Sequence, residues 1–170
     1  MSAGLVSAGG AGAGFRIDPA GDAADLQAVA TLFQAYAASL EVDLGYQGFA
    51  EELAGLPGAY APPGGALLLA RGADGTPLGC GAMRAMNYPG CCEMKRLYVV
   101  PEARGLRLGE ALATALLRIA AAAGYREMRL DSLPSMTGAQ TLYRKLGFEV
   151  TDPYYDTPVA GTLFMRRRLS

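Results

Sequence analysis

Between residues 97 and 110 the hydrophobic pattern of this chain changes period. Leu97, Tyr98, Val99 and Val100 form an unbroken apolar run, whereas Leu108, Leu112, Ala115, Leu116, Ile119 and Ala123 recur at helical spacing. Pro101 and Gly105 lie between the two patterns, and Gly109 stands at the start of the second. The segment therefore reads as strand, tight loop and helix start. Residues 93–100 predict a strand whose apolar end is buried on both faces. Glu110, Thr114 and Arg118 fall on the opposite side of the helix, and Gly124 stops it.

The flanking sequence extends the pattern. Residues 15–18 predict a first strand. Asp22 reads as an N-cap with Asp25 in a capping-box position, ahead of the stripe Leu26, Val29, Phe33, Tyr36 and Leu40. A short helix is expected at 49–53 and a breaker-rich loop at 55–65. Residues 66–71 and 77–86 predict a hairpin turning at Asp74-Gly75. Beyond Gly124 come a strand at 127–133, a helix capped by Ser135 with the stripe Met136, Ala139, Tyr143 and Leu146, and a last strand at 162–168. Hairpin-connected strands followed by a βαβα unit give a mixed α/β sheet in one domain. Residues 1–14, rich in Gly and Ala, read as a flexible tail ahead of a domain spanning 15–170, and they lack the basic start and long apolar run of a signal peptide.

Composition narrows the chemistry. Fifteen Lys and Arg against sixteen Asp and Glu leave a net charge of −1, which argues against a general nucleic-acid binder. The triplet Arg166-Arg167-Arg168 is expected to protect a sheet edge. The chain has no His, so Ser-His-Asp and Cys-His catalysis are excluded, and acid–base work falls to Asp, Glu, Tyr, Lys or Cys. Cys80, Cys91 and Cys92 are odd in number and two are adjacent. That is a poor disulfide framework without zinc-site spacing, so a cytoplasmic protein without metal is expected. The apolar stretch 111–123 is too short to cross a membrane.

A loop that leads a strand into a helix leaves backbone N–H groups unpaired at the helix start. Those donors and the helix dipole favour an anion, above all a pyrophosphate. Gly105 and Gly109 allow close approach, and Arg104 and Arg107 add positive charge. The Gly-Lys-Ser/Thr of a nucleoside triphosphate loop is absent, and the loop follows several strands instead of opening the domain as a dinucleotide-binding turn does.

The segment resembles motif A of the GNAT acetyltransferases: an apolar strand, Pro, then Gln/Arg-x-x-Gly-x-Gly/Ala, then a helix. Pro101, Arg104 and Gly109 match it, while Arg107 replaces the central Gly. Leu142-Tyr-Arg-Lys-Leu-Gly-Phe148 is similar to the family's motif B, L-Y-x-x-x-G-F, and lies one helix and one strand further on.

The resemblance implies a mostly antiparallel mixed sheet flanked by helices, with a splayed central strand that holds the pantetheine of acetyl-CoA. Leu97, Tyr98 and Val99 then pair with pantetheine, and one of their N–H groups polarises the thioester carbonyl. Arg104, Gly105, Leu106, Arg107, Leu108, Gly109 and Glu110 cradle the pyrophosphate. An amine acceptor attacks directly in a ternary complex. By the same resemblance Tyr143 is the acid for the departing thiolate, the alternative being a core aromatic. Glu93 is the general base, the alternative being a solvated strand end paired with Lys95 or Arg96. Tyr154, Tyr155 and Asp156 are candidates for the acceptor pocket, with Asp156 attracting the amine. A homodimer is common in the family. The replaced glycine at 107 keeps a second reading open, a non-catalytic acyl-CoA-binding regulatory module.

Overall fold

The computed structural model describes residues 14–169, so the expected tail lies outside the described residues except for Gly14. Seven strands form one sheet in the order β1-β2-β3-β4-β5-β7-β6. They are β1 (Phe15–Pro19), β2 (Ala66–Gly72), β3 (Pro77–Ala85), β4 (Cys91–Val99), β5 (Glu127–Ser132), β6 (Glu149–Val150) and β7 (Leu163–Arg168). The helices are α1 (Ala23–Ala38), α2 (Phe49–Ala54), α3 (Leu108–Ala122) and α4 (Thr137–Lys145), with a 3-10 turn at Leu44–Gln47. Only β4 and β5 pair in parallel, because α3 carries the chain across the sheet between them. The mixed, mostly antiparallel sheet expected from the sequence is thus present.

Two cores sit on opposite faces. One packs Met83, Met94, Met128 and Met165 of the sheet against Leu108, Leu112 and Leu116 of α3 and Tyr143 of α4. The other packs Val29, Leu32 and Phe33 of α1 on Leu67, Leu69 and Cys80, with Tyr60. The α1 entry follows the sequence reading. The Asp22 carboxylate accepts from the Asp25 N–H at 2.8 Å, and Asp25 reaches back to the Gly21 N–H at 3.1 Å. Asp22→Ala is expected to cost about 1 kcal/mol in urea unfolding, lowering Tm by about 2–4 °C.

Other expectations change. Ser135 does not cap α4: Met136 occupies the N-cap, without a side-chain cap, and the Gln140 amide holds the incoming chain by donating to Leu133 O at 3.0 Å. The arginine-rich β7 is not the outermost strand, since β6 pairs along it, and Arg166 lies near Glu127 and Glu149. Strand β4 begins at Cys91, two residues earlier than predicted.

The largest departure is in the burial of β4. Its charged residues Glu93, Lys95 and Arg96 are buried, while Leu97, Tyr98, Val99 and the following Val100 are only partly so. The reason is that β4 pairs with β5 only over Cys91–Glu93, although the strands run on to Val99 and Ser132. The apolar end faces a gap instead of a neighbouring strand.

A bulge marks where β4 turns away. Cys80 pairs with Tyr98 and Ala82 with Lys95, so Gly81 alone opposes both Arg96 and Leu97. Arg96 takes a left-handed conformation at φ 60°, which costs a non-glycine residue roughly 1–2 kcal/mol. Its side chain offsets that strain. The guanidinium grips both oxygens of Glu52, at 2.9 and 3.1 Å, donates to Gln47 Oε1 at 2.8 Å and lies over the Phe49 ring. Gly81 packs closely beneath the bulge: a Cβ there would stand 3.1 Å from Leu116 Cδ1 and 3.3 Å from Leu97 Cδ1, so those side chains would have to give way slightly.

Candidate active site

The gap between β4 and β5 opens into a small cavity of about 50 Å3. Leu97 and Met94 line it from β4, Leu130 and Asp131 from β5, Tyr143 from α4 and Tyr36 from α1. Here the backbone of β4 beyond Glu93 has no β5 partner, as an extended ligand pairing with the strand edge requires.

The loop to α3 supplies the second half of the site. Among the described residues the N–H groups of Gly105, Arg107, Leu108, Gly109 and Glu110 make no hydrogen bond. Five unpaired donors at the positive end of a 15-residue helix are what an anion site at a helix start requires, with Arg104 and Arg107 exposed beside them. Arg107 caps α3 in the left-handed conformation, φ 58°. The backbone therefore keeps a conformation natural to glycine, and the side chain is exposed. Glu110 turns its carboxylate to Lys145 at 3.0 Å, so only its N–H faces this role.

Tyr143 projects from α4 with its ring edge-on to Phe148, and the residue is 8 % exposed. Its hydroxyl makes no hydrogen bond among the described residues. Burial pushes its pKa up, with Tyr36 and Asp131 adding to the effect, so the phenol stays protonated at neutral pH.

Glu93 is 4 % exposed and is not a solvated strand end. Its partners are neither Lys95 nor Arg96. Oε1 accepts from Arg84 Nε at 3.0 Å and Oε2 from the Tyr154 hydroxyl at 2.7 Å. The carboxylate lines a wider, more open cavity of about 580 Å3, together with Arg84, Tyr88, Lys95, Tyr154 and Tyr155. Tyr154 and Tyr155 thus line the second cavity. Asp156 is exposed and lines neither cavity; Asp131, which accepts from the Tyr155 hydroxyl, is the acid that lies near.

The two cavities meet at Tyr46, Gln47 and Lys95, which line both. Gln47 joins them chemically. Its Oε1 accepts from Lys95 Nζ at 3.1 Å and from Arg96, and its amide nitrogen donates to Tyr46, Asp131 and Tyr155. Sequence reasoning missed Gln47 because a four-residue 3-10 turn carries no periodic signal. It missed Lys95 because the cover over that strand face comes from distant segments. An alternation of Cys91, Glu93 and Lys95 against Cys92 and Met94 was the available hint. The cysteines are buried and free. Burial raises all three thiols, that of Cys92 to about 12, which makes them poor nucleophiles. Among the described residues no acidic, Cys or His group clusters as a metal site, and no helix is long and apolar enough to cross a membrane.

The chain is 42 % identical to an uncharacterised N-acetyltransferase of Schizosaccharomyces pombe, over 86 % of this chain and 90 % of that one. A Staphylococcus aureus acetyltransferase of the GNAT family superposes with a TM-score of 0.76 at 16 % identity, covering 92 % of this chain and 99 % of the other. A phosphinothricin acetyltransferase from Sinorhizobium meliloti, solved in complex with acetyl-CoA, gives 0.68 at 22 % identity, covering 92 % and 89 %. These two share the fold. The model of the Acetyltransferase (GNAT) family matches residues 28–148, and the chain belongs to that family.

Proposed function

We propose that this protein moves an acetyl group from acetyl-CoA to an amine by direct attack in a ternary complex. The observation that carries the reading is the joining of two cavities at Gln47 and Lys95, one holding Tyr143 and the unpaired edge of β4, the other holding Glu93. Acetyl-CoA supplies an activated thioester. The backbone of Leu97, Tyr98 and Val99 pairs with its pantetheine, and an N–H there stabilises charge developing on the carbonyl oxygen. The N–H groups of Gly105, Arg107, Leu108, Gly109 and Glu110, with the Arg104 and Arg107 side chains, hold the pyrophosphate. Glu93 takes the proton of the attacking amine, directly or through water. Tyr143 donates a hydrogen bond to the departing sulfur.

Full proton transfer from an ordinary Tyr to a thiolate is uphill by roughly 2 kcal/mol. Burial raises Tyr143 further, which favours hydrogen-bond donation over complete transfer. The regulatory-module reading rested on the glycine missing at 107; the left-handed Arg107 keeps a backbone conformation natural to glycine there, which supports the enzyme reading. Thiol release from acetyl-CoA across a panel of amines tests the proposal. Acceptor-dependent release is expected. Binding of acetyl-CoA without release for any amine would favour the regulatory module.

A further inference from the structure

Arg84, Glu93 and Lys95 share one face of the sheet. Arg84 pairs with Glu93 across β3 and β4, and Ala82 pairs with Lys95. The two cations therefore flank the carboxylate. Along the wider cavity this leaves two positive groups against one negative.

The three charges are engaged very differently. Glu93 has both oxygens occupied, by Arg84 and Tyr154. Arg84 spends its Nε on Glu93, and its Nη atoms make no hydrogen bond among the described residues, with the side chain 39 % exposed. Lys95 is 6 % exposed, and its Nζ has a single partner, the neutral Gln47 Oε1, which it shares with Arg96. No carboxylate lies within salt-bridge distance of it among the described residues, whereas Arg96 has Glu52 and Arg71 has Asp25. A buried ammonium normally has an anionic partner, because desolvation alone is costly. Here two of its three N–H donors remain free at the wall of a cavity that opens outward.

We infer that the acceptor supplies the missing anion: it is an α-amino acid, whose carboxylate is held by Lys95 Nζ and the Nη groups of Arg84 while its amine faces Glu93 between them. In an α-amino acid the amine and carboxylate sit on the same carbon, which suits a base flanked by two cations on one strand face. Tyr88 and Tyr155 on the walls suit an apolar or aromatic side chain. Burial holds the Lys95 pKa down, and an incoming carboxylate relieves that cost.

The inference rests on the proposed amine acetylation and deepens it. Its test is thiol release with the twenty common α-amino acids, each compared with its carboxamide and its decarboxylated amine. At least one acid is expected to exceed both relatives by about 10–150-fold in kcat/KM, the worth of one contact to a charged group. In Lys95→Met that ratio should fall several-fold, and in the Arg84→Met, Lys95→Met double variant to within about threefold of one. A ratio taken on a single sample does not change with the fraction folded, so it separates recognition from stability. Release that is equal or faster with the decarboxylated amines overturns the inference and leaves acetyl transfer standing. An unchanged preference for acids in Lys95→Met overturns the assignment to Lys95. Absence of release with every amine, acid or not, overturns both readings.

Discussion

Tyr143→Phe is expected to lower kcat by about 10²–10⁴-fold, with acetyl-CoA still bound and Tm within about 2 °C of wild type. The substitution removes one oxygen and nothing else. The ring keeps its edge-on contact with Phe148 and its place in the core beneath α4. The hydroxyl has no hydrogen-bond partner among the described residues, so its loss strands no donor or acceptor, which is the usual reason such a change destabilises a fold. What is lost is a protonated donor at the cavity beside the splayed strand. Steady-state thiol release measures kcat, and a thermal melt checks the fold. An undiminished kcat would make Tyr143 a packing residue only.

Glu93→Gln is the second large effect, a fall of about 10²–10⁴-fold in kcat/KM near neutral pH. Glutamine keeps the shape and can still accept from Arg84, but it cannot take a proton. Without the base, reaction needs an amine that is already neutral. The deficit should therefore narrow as pH rises toward the amine's own pKa, about 10.4 for a lysine-like amine. A structural role predicts something else. If Glu93 only ties Arg84 to Tyr154, the loss is the same at every pH and accompanies a lower Tm. A pH series on both proteins separates the two outcomes.

Much of the architecture was legible because it follows from local chemistry. The Asp22 cap, the Asp74-Gly75 hairpin and the α3 stripe each depend on residues a few positions apart, and each is present. Gly75 has φ +85°, as its turn requires. Ser135 failed because a serine ahead of a helix competes with other ways of anchoring the chain, here the long reach of Gln140. Leu97 to Val100 failed in a more informative way. A continuous apolar run normally means burial by neighbouring strands, but here the neighbour diverges, and Leu97 lines the cavity that opens between the two strands. The bulge behind that divergence rests on a left-handed arginine, which no propensity rule anticipates.

The candidate site was legible in its cofactor half and largely hidden in its acceptor half. The proposed cradle from Arg104 to Glu110 relies on backbone N–H groups and local charge of neighbouring residues, which contiguous sequence carries. The second cavity is assembled from Gln47, Arg84, Glu93, Lys95, Tyr154 and Tyr155, which span more than 100 positions. Nothing in the spacing of those residues announces that they meet. Glu93 was singled out, but its partners Arg84 and Tyr154 emerge only from the cross-strand register and the fold of the C-terminal segment.

The central claim is that the splayed β4 edge and the loop before α3 hold acetyl-CoA. Calorimetric titration of acetyl-CoA into the wild-type protein and into the Arg104→Ala, Arg107→Ala double variant tests it most directly. One site per chain is expected, with affinity weaker in the variant by about 3–30-fold, the worth of two exposed ion pairs to phosphate. No binding to the wild type, or an affinity the double variant leaves untouched, would contradict the assignment of the cradle.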